Sequence, residues 1–213
     1  MTPGGVQEAF AQVAAEDGIA LGSESFDWLC EQGHVGLERV AKRRRDPSLV
    51  GPVSAALEAL GAIYARLQGD LSVLRASREN LLLPVELVHE ETGTVIEVDE
   101  PAHFTSFRLA SLELYPTDAA LGFDLDEHKA LCRAWCSRTD GLGGGHPAKG
   151  FGFGGLQRER AYHDALRDLA TPAMRHPPVV RIAAVDGDGA AAYRRHRAAL
   201  VRLLGSTQRS RSS

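Results

Sequence analysis

The stretch LLLPVELVHEETGTVIEVDE constrains this chain more than any other feature of its sequence. Two runs rich in Val, Leu and Ile flank Glu-Glu-Thr-Gly, which reads as an antiparallel β-hairpin. Side chains alternate along a strand. In the second run Val95, Glu97 and Asp99 therefore share one face, and Thr94, Ile96, Val98 and Glu100 share the other. Carboxylates are poor strand formers, and a buried one is costly unless it is paired or bound to a metal. Glu97 and Asp99 form an E-x-D pair, pointing the same way in a chelating arrangement.

The turn decides whether Glu86, on the first strand, joins them. A two-residue loop (Thr92-Gly93) or a four-residue loop (Glu91 to Thr94) places Glu86 opposite Asp99, with directly opposed Cβ atoms about 4.5–5.5 Å apart. A three-residue loop places it opposite Val98 and disperses the trio. Three converging carboxylates repel one another. A hard divalent cation, Mg²⁺ or Mn²⁺, resolves that conflict, and could then hold a phosphate and activate water. The competing arrangement is an exposed strand end with solvated acids. The position of Glu97 between Ile96 and Val98 favours the metal.

Around the hairpin the pattern is helical. Residues 1–79 read as an N-terminal helical region. VQEAFAQVAAEDG carries Phe10, Val13 and Ala14 at helix spacing, and SFDWLCEQGHVGLERVAKRRRD is a second helical stretch with a break near Gly33. DPSLVGPVSAALEALGAIYARLQGD is the clearest helix, with Pro52 in its first turn and an apolar face ending at Gly69. The run Lys42–Arg45 suits a solvated helix end. After the hairpin, TSFRLASLELYP reads as a short helix stopped by Pro116, and DLDEHKALCRAWCSR as a helix with Asp124 or Asp126 as its N-cap. Residues 140–155 are a glycine-rich loop, LQRERAYHDALRDLA a strong helix, PPVVRIAAVD a buried strand, and GAAAYRRHRAALVRLLG the last helix. Ser206–Ser213 is a polar tail expected to be disordered. The order predicts an α/β (α+β) layer protein with a small mixed sheet flanked by helices.

At 213 residues the chain suits one compact domain, or a domain with a helical extension. No apolar run reaches the roughly 18 residues that span a bilayer, and the N-terminus lacks the basic leader of a signal peptide. Three cysteines suit a reducing cytosol, so a cytoplasmic location is expected. The net charge of −4 is unevenly spread: residues 151–213 carry 11 Lys+Arg against 5 Asp+Glu, and the rest carries the acidic excess. A basic C-terminal third fits a nucleic-acid contact face, or simply a solvated helix face.

The segments E86…IEVDEPAHF, QRERAYHDALRDLA and PPVVRIAA together resemble the PD-(D/E)XK nuclease superfamily, nearest its very-short-patch-repair-like branch. The matching residues are Glu86, Glu97-Val98-Asp99, His103, the helix with Arg160, Asp164 and Arg167, and the strand with Arg181. The resemblance covers roughly residues 80–186. It implies a restriction-endonuclease-like core (80–205, with an insertion at 105–155) and Mg²⁺- or Mn²⁺-dependent phosphodiester hydrolysis of nucleic acid, DNA above RNA. Glu86, Glu97 and Asp99 would hold the metal. Asp99 stands where the branch's relatives with E-x-K have lysine, so the positive charge must come from elsewhere; His103, Lys149, Gln157 and Arg160 are candidates. Gln157, Arg158, Arg160 and Arg167 are the expected nucleic-acid contacts. The alternative is a module that keeps the nuclease fold without catalysis and binds nucleic acid or a protein partner.

Other patterns carry less. Gly150-x-Gly152-x-x-Gly155 lacks the buried strand that must precede a dinucleotide fingerprint; the loop is a flexible connection, or a lid bringing Lys149 to the acids. His128, Cys132 and Cys136 span about 12 Å of helix axis at 1.5 Å per residue, too far to close on one ion, and Cys132 and Cys136, beside Leu131 and Trp135, read as core. No G-x-S-x-G occurs.

Overall fold

The computed structural model describes residues 5–76, 81–142 and 145–211, except for the side chains of Glu86 and residues 206–211. It is a mixed α/β protein. The elements run α1 (Gly5–Glu16), β1 (Leu21–Glu24), α2 (Gly33–Arg44), α3 (Val50–Arg66), α4 (Leu71–Ala76), β2 (Val85–His89) and β3 (Thr94–Asp99). Then come α5 (Ser106–Leu112), α6 (Leu125–Thr139), α7 (Leu156–Ala173), β4 (Val180–Ala183) and α8 (Gly189–Arg211).

One sheet has the strand order β1-β2-β3-β4. β1, β2 and β3 pair antiparallel, while β4 lies parallel to β3. A parallel neighbour needs a long crossover, and α5, α6 and α7 supply it. The sheet is buried on both faces. Leu87, Ile96, Val98, Val180 and Ile182 pack with α1 and α8, whereas Val88, Val95 and Val179 pack into the larger core with α3 and α7.

The hairpin forms as its apolar runs require. Leu87 pairs with Ile96, Val88 with Val95 and His89 with Thr94. The loop is therefore Glu90–Gly93, four residues and even in number, but one residue earlier than expected. Buried Thr92 fixes it, its hydroxyl lying 2.8 Å from His89 Nδ1 and 2.7 Å from Thr94 Oγ1. Continuing the register by one pair brings position 86 opposite Glu97 rather than Asp99. The expected carboxylate of Glu86 itself lies outside the described residues.

Residues of the N-terminal region build the core directly. β1, a strand the sequence pattern does not signal, is the edge of the sheet beside β2. It has four residues, LGSE, and only partial burial, so no alternation marks it. Only the second half of the expected helical stretch from Ser25 is helical: α2 starts at Gly33, with φ at +55°, and the residues before it form turns, with Cys30 in a backbone bridge to Leu82. Pro47–Arg66 is long and apolar enough to cross a membrane by length and composition alone. Here Val53, Leu60, Ile63 and Tyr64 of α3 are buried, the helix packing on α7 and α2.

α1 docks on α8, with Phe10 set edge-on to Tyr193 at 5.3 Å. Gly189 permits that approach, since a Cβ there would fall 1.9 Å from the carbonyl oxygen of Val6. Asp17, just beyond α1, accepts from Tyr193 Oη at 2.7 Å and pairs with Arg197. α8 also continues to Arg211, through much of the segment expected as a disordered tail.

Candidate functional site

Glu97 and Asp99 do share a face, and it is the face that carries Arg181 of β4, since Glu97 pairs with Arg181 in the parallel register. An arginine in the middle of a buried strand needs carboxylates around it. The Arg181 guanidinium finds three: Nη1 is 2.8 Å from Asp99 Oδ1, Nη2 is 3.3 Å from Asp164 Oδ1, and Nε is 2.8 Å from Asp168 Oδ1. Asp164 and Asp168 are one helical turn apart on α7, so both face the sheet.

The network extends further. Asp168 Oδ2 accepts from Arg108 Nη2 at 2.6 Å and from Tyr115 Oη at 2.7 Å. Asp164 Oδ2 lies 3.1 Å from His103 Nδ1, which is also 3.5 Å from Asp99 Oδ1. Arg167 pairs with Glu97 at 3.4 Å and approaches Asp164 at 3.9 Å. Asp99 Oδ2 also lies 3.5 Å from His128 Nε2, so four carboxylates meet three arginines and two histidines. Arg108, Tyr115 and His128 all come from the crossover between β3 and α7, so that crossover completes the network.

Electrostatics follow from this crowding. Burial alone would raise the Asp164 carboxyl, but Arg181 and His103 hold it well below the ordinary value. Burial would lower His103; Asp164, with Asp99 behind it, holds it above the ordinary value instead. Glu97 is raised, because burial outweighs Arg167 and Arg181. Asp168 is lowered by Arg181 and Arg108 against its burial.

A cleft of about 310 Å³ opens beside this network. Glu97, His103, Glu159, Arg160, His163 and Arg167 line it. Among the expected contacts, Arg160 stands at its wall, donating from Nη1 to the Ala102 carbonyl at 3.3 Å. Arg167 is there too, donating to the Pro84 carbonyl at 3.3 Å. Two others are placed elsewhere. Gln157 is buried and donates to the Thr139 carbonyl at 2.7 Å and to that of Leu142, which anchors the glycine-rich loop to α7. Arg158 lies over the Phe107 ring at 5.4 Å. Lys149 lies in a small adjoining recess, 3.9 Å from Glu31; that recess shares Glu159 and His163 with the cleft.

The donor set bears on the expected metal. Among the described residues no group of three His, Cys, Asp or Glu side chains is placed to hold an ion. Asp99 Oδ1 is already held by Arg181 at 2.8 Å, so taking up Mg²⁺ or Mn²⁺ there would require that carboxylate to leave its arginine.

Arg108, Tyr115, Asp168 and the ligating part of Arg181 escape a reading by spacing, being scattered over 73 residues. The available signal was VVRIAA, where one arginine interrupts a buried strand and demands acids. Comparison of the chain with family models, with curated proteins and with solved structures returned no match in any of the three.

Proposed function

We propose that this protein is a nucleic-acid-binding module on a nuclease-type core, in which arginine pairing stands where a metal centre would. The carrying observation is the Arg181 guanidinium between Asp99, Asp164 and Asp168. Two further features support the reading. An antiparallel hairpin followed by α7 and a strand parallel to β3 is the order that the PD-(D/E)XK resemblance implies over residues 80–186. The cleft carries Arg160 and Arg167 on the basic C-terminal third, and arginines in such a position suit phosphate oxygens, fixing a strand without reading its bases.

The second reading is a Mg²⁺-dependent phosphodiester hydrolase acting on DNA. It rests on position 86 standing opposite Glu97 in the hairpin register, with His103 beside the same cleft. The carboxylates would then have to leave their arginines to take up metal.

One experiment separates them. Fluorescence anisotropy with single- and double-stranded DNA and RNA oligonucleotides is run in EDTA and in Mg²⁺, alongside a gel assay for cleavage. Metal-independent binding that weakens with salt and with Arg160→Ala, without cleavage, is expected. Mg²⁺-dependent cleavage abolished by Glu97→Gln would establish the hydrolase instead. Absence of binding to all four oligonucleotides at low salt would overturn both.

A further inference from the structure

β4 ends the sheet. It pairs with β3 on one side, and among the described residues no backbone hydrogen bond joins its other edge. That edge floors a groove of about 560 Å³ between α6 and α8. The Arg181 side chain is wholly buried, yet the residue keeps 6% exposure. What it presents to the groove is therefore main chain. Unpaired strand edges are templates for another strand, and the four residues of β4 offer about 13 Å at roughly 3.3 Å per residue.

The two walls differ in charge. On the α6 side, Phe123 and Leu131 are accompanied by exposed Asp124 and Glu127. On the α8 side, Ala199 is accompanied by exposed Arg202, while His196 is lowered from its ordinary value chiefly by burial and is uncharged near neutral pH. α6 lies on the sheet face that carries Arg181, and α8 on the face of Val180 and Ile182. A strand added to β4 sends successive side chains alternately to those two faces.

We propose that this groove binds an extended peptide segment of a partner protein as a fifth strand on β4. Its side chains alternate between basic or apolar residues facing α6 and acidic or apolar residues facing α8. Main-chain hydrogen bonds supply affinity, and the oppositely charged walls supply the selection. A second copy of the chain does not supply the strand from its own β4, which is recessed between the same two helices.

The test uses labelled hexapeptides and the intact chain. The mixed-charge peptide KDLVKE should bind saturably and several-fold more tightly than KKLVKK or DDLVDE, each of which meets one wall of like charge. N-methylation at three consecutive amides of KDLVKE should abolish binding, because the methyl groups cannot all face away from β4. Glu127→Lys, on the exposed rim, should move the preference toward DDLVDE. Ala199→Trp, checked for folding by circular dichroism, should fill the groove and block all three. No saturable binding of KDLVKE up to about 1 mM, binding that survives the N-methylation, or a preference unmoved by Glu127→Lys would overturn the proposal.

Discussion

Asp99 Oδ2 and His128 Nε2 stand 3.5 Å apart in the interior, and among the described residues neither atom has a hydrogen-bond partner. Burial, with Arg108 and Arg181 nearby, outweighs the Asp99 carboxylate and takes His128 down to about 4. The ring is thus neutral across the physiological range. Asp99 is held from one side by Arg181 and faced from the other by an uncharged imidazole.

Stability should therefore fall on acidification from pH 6.5 toward 4. His128 and His163 are both lowered to about 4, chiefly by burial. In that window the unfolded chain takes up protons that the folded chain refuses, at up to about 1.4 kcal/mol per pH unit for each group. His103 has the opposite sign. Its raised value contributes stability that is complete below about 6.5 and is lost as pH rises through the folded value. Chemical denaturation across pH should show a maximum near neutrality. His128→Gln should flatten the acid limb, and His103→Gln the alkaline one.

Asp168→Asn should be among the most damaging single changes. It leaves Arg108 and Arg181 partly uncompensated in the core and weakens the Tyr115 hydrogen bond. Breaking a buried pair of this kind costs about 3–5 kcal/mol. Arg160→Ala, at the cleft wall, should cost within roughly 0.5 kcal/mol. Urea unfolding of the two variants measures the contrast.

Gly33 and Tyr162 should be coupled. Gly33 has φ +55°, and a Cβ there would fall 2.2 Å from Tyr162 Oη. That hydroxyl lies 2.7 Å from His34 Nδ1 and accepts from the His34 amide at 2.9 Å. Gly33→Ala combines a left-handed backbone penalty of about 1–2 kcal/mol with this clash. Ring carbons of Tyr162 would also lie 2.7 and 2.9 Å from that Cβ, so the cost should shrink in a Tyr162→Leu background, which a double-mutant cycle detects.

Gly189→Ala should loosen α1 from α8, because the added methyl meets the Val6 carbonyl. A loss of about 1–3 kcal/mol is expected for overpacking of this kind. Amide exchange should quicken over residues 6–10 ahead of the sheet.

The hairpin was legible because strand parity is a rigid rule: Val95, Glu97 and Asp99 do share a face, whereas the loop length and register stayed open, since Glu-Glu-Thr-Gly is compatible with several turns. The helices were legible from apolar spacing, as at Val53, Leu60 and Ile63. What spacing could not convey was the partner of each acid. Asp99 meets Arg181, 82 residues away, and Asp168 meets Arg108, 60 residues away. Such pairs depend on how the crossover helices settle, which local pattern does not encode. Gln157 shows the same limit, since a polar residue on a helix reads alike whether it faces a ligand or caps a neighbouring loop.

The pairing of α1 with α8 also sets an order of events during synthesis. Asp17 waits for Arg197, 180 residues later in the chain. At a ribosomal rate of about 5–20 residues per second, that is roughly ten to forty seconds. Until then the apolar side formed by Leu87, Ile96 and Val98 has no complete cover. The nascent chain therefore passes through a half-clad sheet, and it is in that interval, rather than in the finished molecule, that chaperone engagement and aggregation would compete.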